Sequence, residues 1–227
     1  LGAFMVASAE AKRDKLTLLL PPAFKAFGLW VEQLVAESTG KQGVGLIPVA
    51  GEPSLDVAQY GTDRAFVIVS TDEDRSLEQV GSALHKAGHP VFSISTRREH
   101  LGAEFFRWEF ATAVAGAGLG INPFDEPNVK EAKDQTSALL RDRAALDQDL
   151  DAARPDVSFL SGDDRHASPE ALRQLLDSLK PGDYCGLLVW LTPEPALDDA
   201  LQHLRAKITA RTGAATTVGI GPRYLHS

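Results

Sequence analysis

Gln33 and Glu37 stand four residues apart in VEQLVAESTGKQGVG, a spacing that puts an amide and a carboxylate on one face of a helix. A carboxylate in a last helical turn faces the negative end of the helix dipole, unfavourable by about 0.3–1 kcal/mol. That placement suits a group whose task is to take up a proton, although a solvated glutamate at a helix end accounts for the same residues. Gly40 is expected to end the helix, and Lys41 to set positive charge on its exposed carbonyls. The Gly-Lys pair is not a phosphate loop. GxxxxGK[ST] requires glycine where Val35 stands, a hydroxyl residue where Gln42 stands, and a strand in front.

A second charged group lies in INPFDEPNVKEAK, where Glu126 and Lys133 are seven apart and so share a helix face, with Lys130 beside them. Near a helix start, backbone N–H groups and a lysine would together meet a negatively charged substrate oxygen. A solvated charged face is the alternative. The histidines are His85, His89, His100, His166, His203 and His226. They form no HExxH pattern and no Cys/His cluster, so a bound catalytic metal is not expected. His226 follows a terminal strand, where an α/β site can lie, and is a catalytic candidate. GAGLGI lacks the last glycine of a dinucleotide fingerprint, Ile121 standing in its place, and reads as a helix terminus.

The elements that must hold these residues alternate. DKLTLLL, VGLIPVA, RAFVIVST, HPVFSIST, DYCGLLVWL and ATTVGIG read as strands. Between them, PPAFKAFGLWVEQLVAES repeats Phe24, Phe27, Val31, Leu34 and Val35 at helical spacing, and SLEQVGSALHKAG, SPEALRQLLDSLK and PALDDALQHLRAKITART are further helices. LGAEFFRWEFATAVAGAGLG is apolar on most sides and is expected to be deeply packed. FDEPNVKEAKDQTSALL should begin another helix, with Asp125 and Pro127 at its cap and first turn. The acidic stretch over about 148–167 reads as an exposed connection. Strands alternating with helices imply an α/β fold, a three-layer αβα sandwich on a mainly parallel sheet, with ligands beyond the carboxyl ends of the strands.

Composition narrows the function. A formal charge of −8 disfavours nonspecific binding to nucleic acid or an anionic membrane and leaves a small-molecule ligand. The single cysteine, Cys185, in a stretch that reads as a buried strand, fits a reducing compartment, and with no apolar run of membrane-spanning length the cytoplasm is expected.

Three segments, in order, resemble the glucose-6-phosphate isomerase family, most closely the isomerase part of transaldolase–isomerase fusions. FGLWVEQLVAESTGKQGVG is similar to the family's glutamine-x-x-x-glutamate-serine-x-glycine-lysine motif. YGTDRAF is similar to its glycine-x-threonine-aspartate-glutamine-histidine segment, and INPFDEPNVKEAK to its phenylalanine-aspartate-glutamine signature. The resemblance implies one sugar-isomerase domain over 1–227, flavodoxin- or Rossmann-like, following a first such domain in a longer chain, with a transaldolase domain as a further candidate there and a homodimer as a possible assembly. It implies interconversion of glucose 6-phosphate and fructose 6-phosphate through a cis-enediol without a cofactor. Glu37 then moves the proton, Lys133 stabilises charge, and Gln33, Glu126 and Arg64 contact substrate.

The family's ring-opening histidine is absent where Ala65 stands, leaving His226 and Lys133 as candidates for that step. Glu126 replaces the signature glutamine. The family holds the phosphate in its first domain, so the 227 residues alone are expected to be weakly active. A noncatalytic sugar-phosphate sensor is the rival reading.

Overall fold

The computed structural model describes residues 1–125, 134, 136–138, 141 and 169–226. Its first compact unit comprises Leu1–Pro123 with Leu179–Ser227; the second is Phe124–Ser178. In the first unit, β1 (Lys15–Leu19), β2 (Ile47–Ala50), β3 (Arg64–Thr71) and β4 (Val91–Thr96) form a parallel sheet in the order β2-β1-β3-β4. Central β1 pairs Lys15 with Ile47 on one side and with Arg64 on the other. The sequence explains the centre. KLTLL and RAFVIVST are buried along their whole length, as strands covered on both faces must be.

Helices cover both faces, so the expected three-layer α/β class holds. On one face α1 (Gly2–Glu10), α2 (Lys25–Thr39) and α4 (Leu101–Leu119) enclose Leu16, Leu18, Val67 and Val69, with Val31, Val35 and Trp108 reaching in from the helices. On the other, α3 (Ser76–Lys86) brings Leu84 onto Phe66 and Ile68. The helical spacing of α2 is the one predicted: Phe27, Val31 and Val35 are buried on one stripe. The second unit contains α5 (Pro169–Asp177), which has an apolar pair, Leu172 and Leu175, at i and i+3.

α6 (Pro195–Thr212) packs on β6 (Ala215–Ile220), which pairs in parallel with β5 (Tyr184–Val189). Two expectations are corrected here, and one helix is found that the sequence reading did not foresee. The strand expected to be buried around Cys185 alternates between exposed and half-buried residues, because β5 pairs on one side only. Cys185 itself is half-buried, and burial raises its thiol pKa. α4 is not packed all round: Phe106 and Phe110 are 67% and 62% exposed, stacked on each other on the side turned away from the sheet. α1, which carries no helical repeat of apolar residues, forms where Gly2 lies so close to α4 that an added Cβ would stand 2.7 Å from the Ala111 carbonyl oxygen. The expectations for Asp125 to Lys133 as a helix start, and for the connection over 148–167, fall almost wholly outside the described residues.

Candidate functional site

α2 starts just after the carboxyl end of β1 and leads into parallel β2, so it runs against the strands. Its last turn, with Glu37, therefore lies at the amino edge of the sheet. This corrects the expectation that the site residues gather beyond the carboxyl ends. At that carboxyl edge the loops after β3 and β4 are occupied by their own ion pairs, Arg97 with Asp72 at 2.8 Å and Arg98 with Glu73 at 3.9 Å.

Gln33 and Glu37 are both half-buried on the flank of α2 away from the core stripe. Among the described residues Glu37 has no hydrogen-bond or ion-pair partner. The helix end behind it is closely tied. The Thr39 hydroxyl donates to the Val35 carbonyl at 2.7 Å and accepts from the Leu46 amide at 3.1 Å, closing the loop onto the last turn. Gly40 caps the helix where a Cβ would meet the Ala36 carbonyl oxygen at 2.8 Å. Lys41 and Val44 exchange backbone hydrogen bonds across Gln42 and Gly43, both at positive φ, the geometry of a tight two-residue hairpin. Lys41, only 6% exposed, reaches past its own helix and donates to the Asn122 carbonyl at 2.9 Å. The glutamate–glycine–lysine segment and the head of the INPFDEP segment thus meet.

A cleft of about 650 Å³ lies along the neighbouring row of α2, walled by Glu32, Ala36 and Gly40 and floored by Tyr184, Gly186 and Thr217. With roughly 100° per residue, the Gln33–Glu37 row is the next one round the helix. Glu32 was not singled out from sequence. Burial raises its pKa, against the opposing hydrogen bond and charge of Arg223, whose guanidinium donates to it at 3.1 Å. Only the fold brings together residues so far apart in the chain.

Arg64, expected to contact substrate, is turned inward and fully buried. Its guanidinium donates to both Glu52 oxygens, at 2.7 and 3.0 Å, and to the Thr17 hydroxyl at 2.9 Å. Arg205 crosses beside it to the carbonyls of Ala50, Gly51 and Thr216. Ala65, where the resembled family has histidine, is fully buried in the core shared with α1, α2 and α4. His226 closes a 3-10 turn, Arg223–His226, that follows β6. Arg223 in that turn reaches Glu32 and the Leu29 carbonyl of α2, and Tyr224 lines the same cleft as Ala36 and Gly40. Glu126, Lys130 and Lys133 lie outside the described residues. Among the described residues no three His, Cys, Asp or Glu side chains converge as metal ligands would, and no helix is long and apolar enough to cross a membrane.

A carboxylate and an amide on one half-buried helix row, tied at the sheet's amino edge to the start of a charged segment, define an α/β protein with a candidate acid–base site. The chain is 30% identical over 168 residues to a glucose-6-phosphate isomerase of Leptospira biflexa, a match covering 57% of this chain and 37% of that protein. It is 28% identical over 158 residues to one of Lactobacillus helveticus, covering 52% and 35%. With one of Heliobacterium modesticaldum it shares 27% identity over 186 residues, covering 62% and 42%. The chain thus spans well under half the length of these relatives. Over that shared region the chain is similar to proteins named glucose-6-phosphate isomerase. No family model matches. A solved structure, a hypothetical protein from Thermus thermophilus, is similar at TM-score 0.49 and 20% identity over 61% of this chain and 44% of that one.

Proposed function

We propose that the chain supplies the proton-transferring part of an isomerase that interconverts glucose 6-phosphate and fructose 6-phosphate. Glu37 takes the C2 proton of the open-chain aldose as the C1 carbonyl oxygen gains a proton to give the cis-enediol; the O2 hydroxyl then gives up its proton while Glu37 returns its proton to C1, which leaves the ketose with a net proton shift from O2 to O1. Lys133 offsets the negative charge that develops on the enediol oxygens, and Gln33, one helical turn before Glu37, holds a sugar hydroxyl. Glu126 is retained as a substrate contact, and His226 or Lys133 as the ring-opening group. Arg64 is left out, because its donors are engaged by Glu52 and Thr17.

The observation that carries this reading is the state of Glu37: half-buried, aligned with Gln33, and unpaired among the described residues. A base must be reachable and uncommitted before it can be matched to its task. In the full-length protein Glu37→Gln is expected to lower kcat by about 10²–10⁴, the usual contribution of a positioned general base. Exchange of the C2 proton with solvent should fall in step. A variant that keeps wild-type kcat and exchange removes Glu37 from the role.

A second reading, a sugar-phosphate sensor without catalysis, draws on the burial of Ala65, which leaves no ring-opening group at that position. Calorimetric binding of fructose 6-phosphate by a full-length protein that never exchanges the C2 proton would select it.

A further inference from the structure

We propose that the cleft beside α2 binds an extended, basic segment of another polypeptide, which adds as a strand to the open edge of β6. The proposal goes beyond the isomerase reading and uses none of the residues assigned to that reaction.

The ladders fix which backbone groups are open. Along a strand, the N–H and C=O groups of successive residues turn to alternate sides. The Gly221 amide donates to the Val189 carbonyl, so the odd-numbered residues of β6 face β5, and Thr216 and Val218 face away from it. The Ile47 amide donates to the Asp14 carbonyl, so Pro48 and Ala50 likewise turn away from β1. β2 and β6 are neighbours yet share no ladder. Where Ala50 and Thr216 stand, side chains take the place of the missing bonds. The Thr216 amide donates to Glu52 at 3.0 Å, Arg205 bridges the carbonyls of Ala50 and Thr216 at 3.1 and 2.6 Å, and the Ala50 amide donates to Glu32. At Pro48 and Val218 nothing does so. Among the described residues the Val218 N–H and C=O and the Pro48 C=O have no partner, and both residues line the cleft. An open edge of this kind is a template for one more strand.

A second observation points to a backbone as the occupant. Gly186, inside β5, lines the same cleft, and a Cβ added there would meet only the Thr217 hydroxyl, at an ordinary 3.6 Å. Neither packing nor a left-handed φ calls for glycine at this position. Glycine weakens a strand interior, and it marks places where a ligand or another backbone comes close. The cleft, at about 650 Å³, is large enough for several residues of such a chain. Charge then selects among segments. Glu32 in the wall is already answered by Arg223, so the selection comes from the wider field: a net charge of −8, with the negative, C-terminal end of α2 brought to the cleft at Gly40. That field draws in a segment flanked by lysine or arginine and repels an acidic one.

The test uses the full-length protein and a fluorescein-labelled, end-blocked peptide, Lys-Val-Thr-Val-Lys, with binding read by fluorescence anisotropy and folding by circular dichroism. The peptide is expected to bind, and to bind at least about tenfold more weakly when its amides are N-methylated, since strand addition rests on main-chain hydrogen bonds. Val218→Pro is expected to weaken binding by a similar factor while β6 still forms, because that N–H faces away from β5 and an edge position tolerates proline. Gly186→Val provides a second arm: its branched side chain suits a strand and occupies the cleft, so the melting temperature is kept and binding is lost. This variant carries the test should Val218→Pro not fold. The proposal is overturned if wild type fails to bind at about 1 mM peptide, or if the N-methylated peptide or a folded variant binds within about twofold of the parent pair. Equal binding of a peptide with glutamate in place of both lysines overturns it as well. None of these outcomes touches Glu37, whose role is read from kcat, so the two failures are distinguishable.

Discussion

A guanidinium enclosed away from water is tolerable only when most of its N–H groups are answered, and Arg64 donates two to the oxygens of Glu52 and two more to the Thr17 hydroxyl and the Ala214 carbonyl. Thr209 and Thr216 donate to the same carboxylate, at 3.3 and 3.0 Å, so removing the arginine strands a buried charge that retains only hydroxyl and amide partners. Arg64→Met is therefore expected to cost about 3–5 kcal/mol of stability, measured as the shift of the urea unfolding midpoint. A substrate-contact role predicts the opposite pattern, normal stability with a raised KM. Glu32 behaves differently, because burial raises its pKa above the ordinary 4.5. A carboxyl favoured in its protonated form by the fold contributes stability that is fully present below the unfolded value and is lost as pH rises through the folded one. Glu32→Gln should remove that loss. Its melting temperature relative to wild type is expected to climb as pH rises above the ordinary carboxylate value, and a difference that is flat or falling would show that the Arg223 hydrogen bond outweighs burial.

At the scale of elements, α4 has two faces with unequal weight. Trp108 is fully buried among the helices and the sheet, whereas Phe106 and Phe110 stand largely in solvent. Trp108→Ala is expected to cost about 3–5 kcal/mol, and Phe106→Ala no more than about 0.5 kcal/mol, in the same denaturant titration. Composition did not distinguish these faces, since both are aromatic; only the placement of α1 and α2 on two flanks of α4 decides which rings are covered. What could be read in advance follows the same physics. β3 and α6 match RAFVIVST and PALDDALQHLRAKITART residue for residue, because unbroken β-branched runs and capped helical repeats are local signals. α1 was missed, its helix depending on contact with α4, and the buried status of β5 was misread because strand order is not local. For the site, the outward row of Gln33 and Glu37 was legible from their spacing. The inward turn of Arg64, the Glu32–Arg223 pair and the reach of Lys41 to Asn122 each join residues 12 to 191 positions apart, and no spacing rule encodes them.

For the whole molecule, the decisive quantity on the proposed isomerase reading is how much of that reaction these 227 residues would carry alone. The chain bears a net charge of −8, and two of the residues proposed to face the sugar, Glu37 and Glu126, are carboxylates. A phosphorylated sugar approaching them gains nothing from the general field and needs a dedicated cationic or hydrogen-bonding anchor. The matched relatives are more than twice as long as the region they share with this chain, so most of their length lies outside it. On the proposed reading, binding energy from the nonreacting phosphate would orient the reacting carbons, and its loss would lower kcat as well as raise KM. The isolated 227-residue chain is therefore expected to show less than about 1% of the full-length protein's kcat/KM for fructose 6-phosphate, with kcat itself reduced. A loss confined to KM would mean that the sugar positions itself on Gln33 and Glu37 without remote help. Activity within about tenfold of the full-length protein would place a phosphate anchor inside these residues.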